Sequence, residues 1–519
     1  MSQVTSETRK TEADTLKDNA ARHPDKVALV FEDRTTDYAT LDRRANCVAN
    51  GLLEISDERQ QRIAILSKNS DLYFEILFGV LRSGKTLLPL NWRLALPELA
   101  SIIKDSGATT LFLEPEFSHY ISSLRSLGVT VEKTISIDAM DYAAWRDEQS
   151  LSEPSVAVNP EDIFVQLYTS GTTGQPKGVQ ISHRASMEMR VIETSFKGKW
   201  TEWGPDEVSI VAMPNFHISG TNWGLLWLAR GATCIVLAQA DAKEILGAIE
   251  KHGVTWIFTV PTVLSLMLED DSCEHRDFSS LKYIQYGGSP IHPDLLVDCM
   301  KRFGCGFVQT YGMTEVNGVV TALRPEDHDP AEPRLLKSVG KPYPALDVKI
   351  MNSKGPISQG KIGEICIRSR SLMSGYWKKP GATEECRYGD FYRSGDGGYF
   401  DADGYLYLVD RIKDMIVTGG ENVYPAEVEN ALLDHPSVAE VAVIGIPEDR
   451  WGEIVMAVVV PTGSLPNSED LIRFVRKRIA SYKAPRIVQS VDALPRNATG
   501  KVLKHVLRQT YKKAAKSSR

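Results

Sequence analysis

Short runs of apolar residues alternate with amphipathic segments along most of the 519-residue chain. Seven runs of five or six residues, rich in β-branched and aromatic side chains, predict strands at 26–31, 62–66, 109–113, 163–168, 208–212, 255–260 and 281–286. Apolar positions at helical spacing predict helices between them, for example at 72–81 and 242–250. This alternation predicts an α/β fold built from layered subdomains.

The pattern changes near residue 410. Before it, alternating positions at 361–368 and 405–409 predict a β-rich unit. After it, the pattern predicts a helix at 425–433, strands at 438–444 and 455–460, and a helix at 469–479 capped by Asn467 or Ser468. We therefore expect an N-terminal domain over residues 1–410 and a small α+β C-terminal domain over residues 411–519.

Charge and composition exclude some classes of partner. The formal net charge is −7 and no long basic block occurs, which argues against nucleic acid as the main partner. The most apolar window, 223–238, is interrupted by Arg230 and Gly231 and is shorter than the roughly 20 residues of a membrane span. The N-terminus shows no secretory signal. The seven cysteines form no Cys-x-x-Cys pair, which indicates reduced thiols and a cytoplasmic location.

The stretch Thr169-Ser-Gly-Thr-Thr-Gly-Gln-Pro-Lys-Gly178 directly follows the predicted strand at 163–168. Glycine lets backbone N–H groups approach an anion closely, and Lys177 adds a cation, so a polyphosphate is the simplest ligand. The spacing excludes a Walker loop, in which the lysine directly follows the second glycine. In this chain Gln175 and Pro176 separate Lys177 from Gly174.

Tyr311-Gly-Met-Thr-Glu315 follows another apolar run, 306–310. An aromatic ring at a strand end can stack on a purine. A threonine hydroxyl can bind a phosphate oxygen, and a glutamate can hold Mg²⁺, which prefers oxygen ligands. Taken alone, the pentapeptide would fit a turn with a buried tyrosine equally well. Upstream, Gly287-Gly-Ser-Pro290 ends a further predicted strand.

Four more motifs follow in order: Tyr392-Arg-Ser-Gly-Asp396, Asp410-Arg-Ile-Lys-Asp414, Gly419-Gly-Glu-Asn-Val-Tyr-Pro425 and Leu494-Pro-Arg-Asn-Ala-Thr-Gly-Lys501. With these motifs the chain resembles the adenylate-forming superfamily of acyl-CoA synthetases, peptide-synthetase adenylation domains and luciferases. The resemblance extends from about Leu16 to about Arg508. It is to the branch of fatty-acid and aryl-acid CoA ligases.

The resemblance implies a role for each matched residue. ATP and AMP would contact Thr169, Ser170, Gly171, Thr172, Thr173, Gly174, Lys177, Gly288, Ser289, Gln309, Thr310, Tyr311, Gly312, Asp396 and Arg411. Thr314, Glu315 and Lys501 would be catalytic, and Glu315 would also hold Mg²⁺. Lys413 would be the hinge about which a mobile C-terminal domain turns, and Gly419 and Gly420 would line the path of CoA.

The acid-binding pocket implied by the resemblance comprises His217, Thr221, Trp223, Gly288, Met313 and Val320. Residues 218–227 carry no charge, which favours an acid without an α-amino group. The indoles of Trp223 and Trp227 would close a long tunnel, stack on a ring or belong to the core of a helix. A medium- or long-chain fatty acid and an aryl or alicyclic acid both remain open.

The function implied by the resemblance is an acid–CoA ligase that uses ATP, Mg²⁺ and CoA. One alternative is an adenylating enzyme that loads a separate carrier protein, although the sequence contains no Gly-x-Asp-Ser-Leu carrier segment. A luciferase-like oxygenase shares the motifs, and a non-catalytic nucleotide binder would need neither Lys501 nor Glu315. Both a monomer and a homodimer agree with the resemblance.

Overall fold

The computed structural model describes residues 10–169, 176–411, 414–418, 421–448, 451–463, 467–496 and 502–517. The chain forms two compact units, Met1–Asp347 with Ile367–Tyr392 and Val348–Cys366 with Arg393–Arg519. It passes from one unit to the other three times. The expected division into an N-terminal domain, 1–410, and a mobile C-terminal domain, 411–519, remains a proposal.

Helices of the first unit follow most of its strands. They are α1 Glu12–Arg22, α2 Tyr38–Ile55, α3 Asp71–Arg82, α4 Leu96–Ser106, α5 Tyr120–Ser126, α6 Ala139–Asp147, α7 His183–Glu193, α8 Ile218–Ala229, α9 Ala242–His252, α10 Pro261–Glu269, α11 Pro293–Phe303 and α12 Pro380–Glu385. The predicted helix at 242–250 is confirmed. Asp241 caps it by accepting a hydrogen bond from the Glu244 N–H at 3.0 Å, and Gly253 ends it in the left-handed conformation.

A nine-stranded sheet forms half of the first unit. Its order is β15-β14-β13-β12-β11-β9-β10-β1-β2. The strands are β1 Val27–Phe31, β2 Arg34–Asp37, β9 Val208–Val211, β10 Thr233–Val236, β11 Trp256–Thr259, β12 Tyr283–Gly287, β13 Gly306–Met313, β14 Gly318–Leu323 and β15 Lys341–Pro342. From β13 to β1 neighbouring strands are parallel, so their carboxyl ends share one edge. Ligands of parallel α/β sheets bind at that edge.

A seven-stranded sheet forms the other half, in the order β19-β8-β7-β4-β3-β5-β6. Its strands are β3 Arg62–Leu66, β4 Thr86–Pro89, β5 Thr110–Leu113, β6 Lys133–Ser136, β7 Ile163–Thr169, β8 Lys177–Ser182 and β19 Gly375–Tyr376. β4 runs parallel to both β3 and β7, whereas β8 turns back along β7. Because β8 is antiparallel to β7, both ends of the predicted phosphate loop lie at the carboxyl end of β7.

The described residues of the second unit form two groups of strands and three helices. The first group is β16 Asp347–Asn352, β17 Gly355–Pro356, β18 Gly363–Arg368, β21 Phe391–Phe400 and β22 Leu406–Arg411; the short β20, Arg387–Tyr388, precedes β21 in the first unit. The second group is β23 Ile416–Thr418, β24 Glu421–Val423, β25 Val438–Glu448, β26 Gly452–Pro461 and β27 Ile487–Ser490, with helices α13 Pro425–Leu433, α14 Ser468–Arg476 and α15 Lys504–Ser517. Asn467 caps α14, as expected.

Two further expectations can be checked against the structure. No helix in the described residues is long and apolar enough to cross a membrane. All seven cysteines are free, and Cys47, Cys234, Cys273, Cys299 and Cys366 are buried. Mixed α/β layers with a large first unit and a smaller second unit confirm the predicted fold class.

Candidate active site

The ends of the predicted phosphate loop are held by a β-hairpin. Thr169 ends β7 and is paired with Lys177, which begins β8. The loop residues Ser170, Gly171, Thr172, Thr173 and Gly174 lie outside the described residues. The Lys177 ammonium lies 4.9 Å from the centre of the Tyr376 ring. A cation therefore lies where the hairpin opens, a position that would suit a phosphate ligand.

Gly288 and Ser289 follow the carboxyl end of β12. The preceding Gly287 is paired with Thr310 on β13, and a Cβ at Gly287 would overlap the Thr310 carbonyl oxygen. Gly288 itself has a φ of +80°, in the region that favours glycine. These two glycines let the chain turn close above the neighbouring strand.

Four of the ATP- and AMP-binding candidates and the acid-pocket candidate Met313 lie on β13, which is longer than predicted. Gln309, Thr310, Tyr311, Gly312 and Met313 all belong to this strand, and Tyr311 is buried. The Thr310 hydroxyl accepts a hydrogen bond from the Gln285 amide at 3.3 Å. The first three residues of the pentapeptide, Tyr311–Met313, thus continue the strand that the sequence predicted to end at residue 310. Val320 lies on the adjacent strand β14 and is buried.

Gly312 is required by the close approach of β13 and β14. The register between the two strands shifts at Tyr311 and Gly312, and a Cβ at Gly312 would overlap the Gly318 carbonyl oxygen. We expect Gly312→Ala to reduce the free energy of unfolding by about 1–3 kcal/mol, since a backbone atom cannot rotate away. Adenylation should fall more than tenfold because Tyr311 and Thr314 would shift.

Thermal unfolding and pyrophosphate release would measure these two effects. Gly381→Ala is the matched control because a Cβ at Gly381 meets no atom within 4 Å. A Gly312→Ala enzyme with the stability and rate of the control would contradict the explanation.

Thr314 and Glu315 form a short 3-10 turn directly after β13. One carboxylate oxygen of Glu315, Oε1, accepts a hydrogen bond from the Tyr376 hydroxyl at 3.0 Å, and the Glu315 carbonyl accepts one from the Met373 N–H at 2.9 Å. The described residues contain no group of three or more His, Cys, Asp or Glu that could hold a metal. One oriented carboxylate fits Mg²⁺, which binds one or two carboxylates together with phosphate oxygens.

His217 lies beyond the carboxyl end of β9, at the start of α8. Burial lowers the pKa of His217 to about 4, with the Arg93 charge as a smaller cause. The imidazole is therefore neutral at pH 7 and gives no ion pair to a carboxylate. Its Nε2 atom is buried and meets no hydrogen-bond partner in the part of the chain that the structure describes.

Thr221 and Trp223 both make contacts inside the first unit. The Thr221 hydroxyl donates to the Asn215 carbonyl at 2.6 Å and lies 2.7 Å from the Tyr73 hydroxyl. The Trp223 indole donates to the Ile210 carbonyl on β9 at 2.9 Å. Trp223 also packs in an aromatic cluster with Trp227, Trp256 and Phe258. Both tryptophans of α8 therefore pack as core residues, one of the three readings that the sequence left open.

Asn69 is a functional candidate that the sequence analysis missed. It follows the carboxyl end of β3, in the seven-stranded sheet. Its amide donates to the Met213 carbonyl at 3.0 Å and the Leu237 carbonyl at 3.2 Å, and its oxygen accepts from the Asn215 N–H at 2.9 Å. It therefore fixes the segment before His217 from the other sheet. The signal available in the sequence was a polar residue shortly after a predicted buried strand, a common position for functional side chains.

Asp396 and Arg411 are paired across β21 and β22 in the second unit. Asp396 therefore lies in a strand, although its glycine-rich surroundings resemble a turn. Gly395, with a φ of +74°, precedes Asp396, and the register between the two strands shifts between Gly397 and Gly398. The Arg411 side chain lies outside the described residues. The backbone pairing nevertheless places Asp396, the ribose candidate, opposite Arg411, the ribose or phosphate candidate, on adjacent strands.

The remaining candidates cannot be located in the described residues. Lys413, Gly419, Gly420 and Lys501 all lie outside them. Residues on either side of Gly419–Gly420 and of Lys501 are described. Thr418 is paired with Glu421 across two strands, and Arg496 forms an antiparallel bridge with Val502. The hinge, CoA and catalytic-lysine assignments therefore remain predictions.

Comparisons with known proteins agree with this arrangement. The AMP-binding enzyme family matches residues 16–377, and the AMP-binding enzyme C-terminal domain matches residues 427–501. The chain belongs to this family and thus to the adenylate-forming superfamily. It is an AMP-forming enzyme of the acyl-CoA synthetase and ligase type.

Individual relatives cover nearly the whole chain. A fatty acid–[acyl-carrier-protein] ligase of Streptomyces coeruleorubidus, ScoC, is 37% identical over 496 residues, 95% of both chains. A feruloyl-CoA synthase of an Amycolatopsis species is 36% identical, covering 95% of this chain and 97% of the relative. The structure of Bacillus subtilis o-succinylbenzoate CoA synthetase with its acyl-adenylate intermediate superimposes with a TM-score of 0.84 at 29% identity, covering 96% of this chain and 98% of that one.

Proposed function

We propose that this enzyme joins an apolar carboxylic acid without an α-amino group to CoA. The observation that carries the ATP-dependent part is the contact of Tyr376 with both the Glu315 carboxylate and the Lys177 ammonium. A carboxylate suited to Mg²⁺ and a cation suited to phosphate thus contact the same tyrosine, one at its hydroxyl and one over its ring. Such a pair fits a magnesium–polyphosphate better than any uncharged ligand.

The reaction has two halves. In the first, a carboxylate oxygen of the acid attacks the α-phosphorus of ATP, and the bond to the bridging oxygen breaks to release pyrophosphate. Lys177 and the loop beside it hold the leaving phosphates, and Lys501 binds the oxygens of the acid and the α-phosphate. When bound at Glu315, Mg²⁺ supplies positive charge that offsets the repulsion between the two anions.

In the second half, the thiol sulfur attacks the acyl carbon, and the acyl–oxygen bond breaks to release AMP. The thiol proton leaves to solvent. Lys501 must withdraw for the thiol to enter, and we propose that rotation about Lys413 brings Gly419 and Gly420 to the site instead. No covalent bond to the enzyme forms in either half.

The acid is proposed to lie against α8 and the carboxyl edge of the nine-stranded sheet. Helix α8 has no charged side chain, and His217 at its start is neutral, so this region suits the apolar body of a fatty, aryl or alicyclic acid. It offers no carboxylate to an α-amino group. Because Trp223 and Trp227 are packed in the core, a long chain would have to pass beside them.

A second candidate acceptor is the thiol of a separate carrier protein. The similarity to ScoC favours it, since that relative is a ligase for an acyl-carrier protein. The reaction is otherwise the same, because a carrier presents the same pantetheine thiol as CoA. We place either enzyme in the cytoplasm, where its seven free cysteines would stay reduced.

Pyrophosphate release with ATP and Mg²⁺ across a panel of acids tests the proposal. The panel contains octanoate, palmitate, cinnamate and cyclohexanecarboxylate, with alanine as the amino-acid control, each with and without CoA. We expect turnover with at least one apolar acid, AMP accumulation only when CoA is present, and no response to alanine.

Two results would change the conclusion. Pyrophosphate release without any consumption of CoA, together with acylation of an added pantetheinylated carrier protein, would favour the second acceptor. Turnover with alanine alone would contradict the assignment of the acid, because the described pocket candidates offer no carboxylate to an ammonium group.

A further inference from the structure

The segment Gly375–Lys379 lies alongside β8, the second strand of the phosphate-loop hairpin. Its β19 is antiparallel to β8, with Tyr376 opposite Val179. Beyond this pair, the Trp377 N–H donates to the Gly178 carbonyl at 2.7 Å, and the Lys379 ammonium donates to the Pro176 carbonyl at 3.0 Å. The segment is thus bonded to the hairpin as far as Pro176, the first described residue after the loop.

The same segment is anchored on its other side. The Trp377 indole donates to the Asp105 carbonyl at 2.9 Å, and the Arg62 guanidinium lies 3.5 Å from the centre of the Trp377 ring. Arg62 in turn donates to the Gln166 side chain on β7 at 3.1 Å. Residues of β3 and α4 therefore hold Trp377, which positions the neighbouring Tyr376.

Tyr376 makes two contacts of different kinds from this position. Its hydroxyl donates to Glu315 Oε1 at 3.0 Å, and its ring faces the Lys177 ammonium at 4.9 Å. The Tyr392 side chain is hydrogen-bonded to Tyr376 as well.

We propose that Tyr376 is a positioning residue that orients the Glu315 carboxylate for Mg²⁺ through its hydroxyl and holds the Lys177 ammonium beside the phosphates through its ring. This inference rests on the proposed use of magnesium-bound ATP. Groups that hydrogen-bond a metal ligand fix its orientation, and their loss typically weakens metal binding 10- to 100-fold. A cation facing an aromatic ring gains a smaller but separate stabilisation.

The two contacts can be separated by substitution. Tyr376→Phe removes the hydroxyl and keeps the ring, whereas Tyr376→Leu removes both. Tyr388→Phe is the matched control, because Tyr388 is exposed and belongs to the same unit. Calorimetric titration with α,β-methylene-ATP over a series of Mg²⁺ concentrations and in EDTA would measure nucleotide binding without turnover.

We expect Tyr376→Phe to raise the Mg²⁺ concentration for half-maximal enhancement of binding about tenfold or more, with binding in EDTA unchanged. Tyr376→Leu should show the same shift and also weaken binding in EDTA severalfold. Tyr388→Phe should match the wild-type enzyme in both. Equal thermal unfolding temperatures of Tyr376→Phe and Tyr388→Phe would show that folding is intact.

A Tyr376→Phe enzyme with the wild-type Mg²⁺ requirement would overturn the inference and leave the proposed function standing. An equal loss of binding with and without Mg²⁺ would also overturn it, because a merely structural role predicts that result. A wild-type enzyme whose nucleotide binding is insensitive to Mg²⁺ would overturn both the inference and the proposed function.

Discussion

Lys501→Ala is expected to lower the rate of acyl-adenylate formation by about 100- to 1000-fold while sparing thioester formation from a supplied acyl-adenylate. The first half-reaction brings a carboxylate against an anionic phosphate, so loss of one fixed donor at the developing charge is costly. The second half-reaction starts from an uncharged acyl carbon and needs Lys501 to be absent from the site. Pyrophosphate release and thioester formation, each measured separately, would show the difference.

Lys354→Ala provides the control for charge. It removes one positive charge from an exposed position of the same unit and should leave both half-reactions unchanged. Equal loss of both half-reactions in Lys501→Ala would contradict the proposed exchange of Lys501 for the CoA-binding loop.

Glu315→Gln is expected to lower the rate of adenylation about 100-fold, equivalent to about 2.7 kcal/mol of transition-state stabilisation. Glutamine has nearly the shape of glutamate and can still accept the hydrogen bond from Tyr376, but it lacks the charge that suits Mg²⁺. The loss should therefore be partly recovered at high Mg²⁺ concentrations. Initial rates of pyrophosphate release, measured over a range of Mg²⁺ concentrations, would test this.

The matched substitution for this experiment is Glu385→Gln on α12. Glu385 is exposed and lies in the same unit, so the change of charge is the same without any change at the site. A Glu315→Gln enzyme whose rate and Mg²⁺ dependence equal those of Glu385→Gln would exclude Glu315 as the metal ligand.

Local patterns were sufficient to predict many elements of the fold. The strand at 62–66 and the helix at 425–433 have the predicted bounds, because an apolar run between polar residues and a proline at the first helical turn are local signals. Glycine-rich motifs were harder. Tyr311 and Asp396 lie within strands, although their neighbouring glycines suggested strand ends or turns.

Contacts between distant parts of the chain could not be predicted. The Tyr376 hydroxyl meets a carboxylate 61 positions earlier, and Asn69 bonds to residues more than 140 positions later. Neither side chain belongs to a sequence motif from which its hydrogen-bond partner could be identified. The role of Trp223 could not be predicted for the same reason. The sequence allowed either a wall of the acid pocket or a core residue, and only the packing of Trp223 against β9 and β11 distinguishes the two.

The interleaving of the two units has an evolutionary consequence. The chain leaves or re-enters the second unit within β16, β18 and β21, so a single recombination event cannot exchange that unit as a whole. A crossover after residue 410 would replace Arg411 but keep Asp396, although the two residues are paired on adjacent strands. Such a crossover would therefore separate two residues proposed to hold the nucleotide, and we expect new specificities to arise by point substitution more readily than by shuffling.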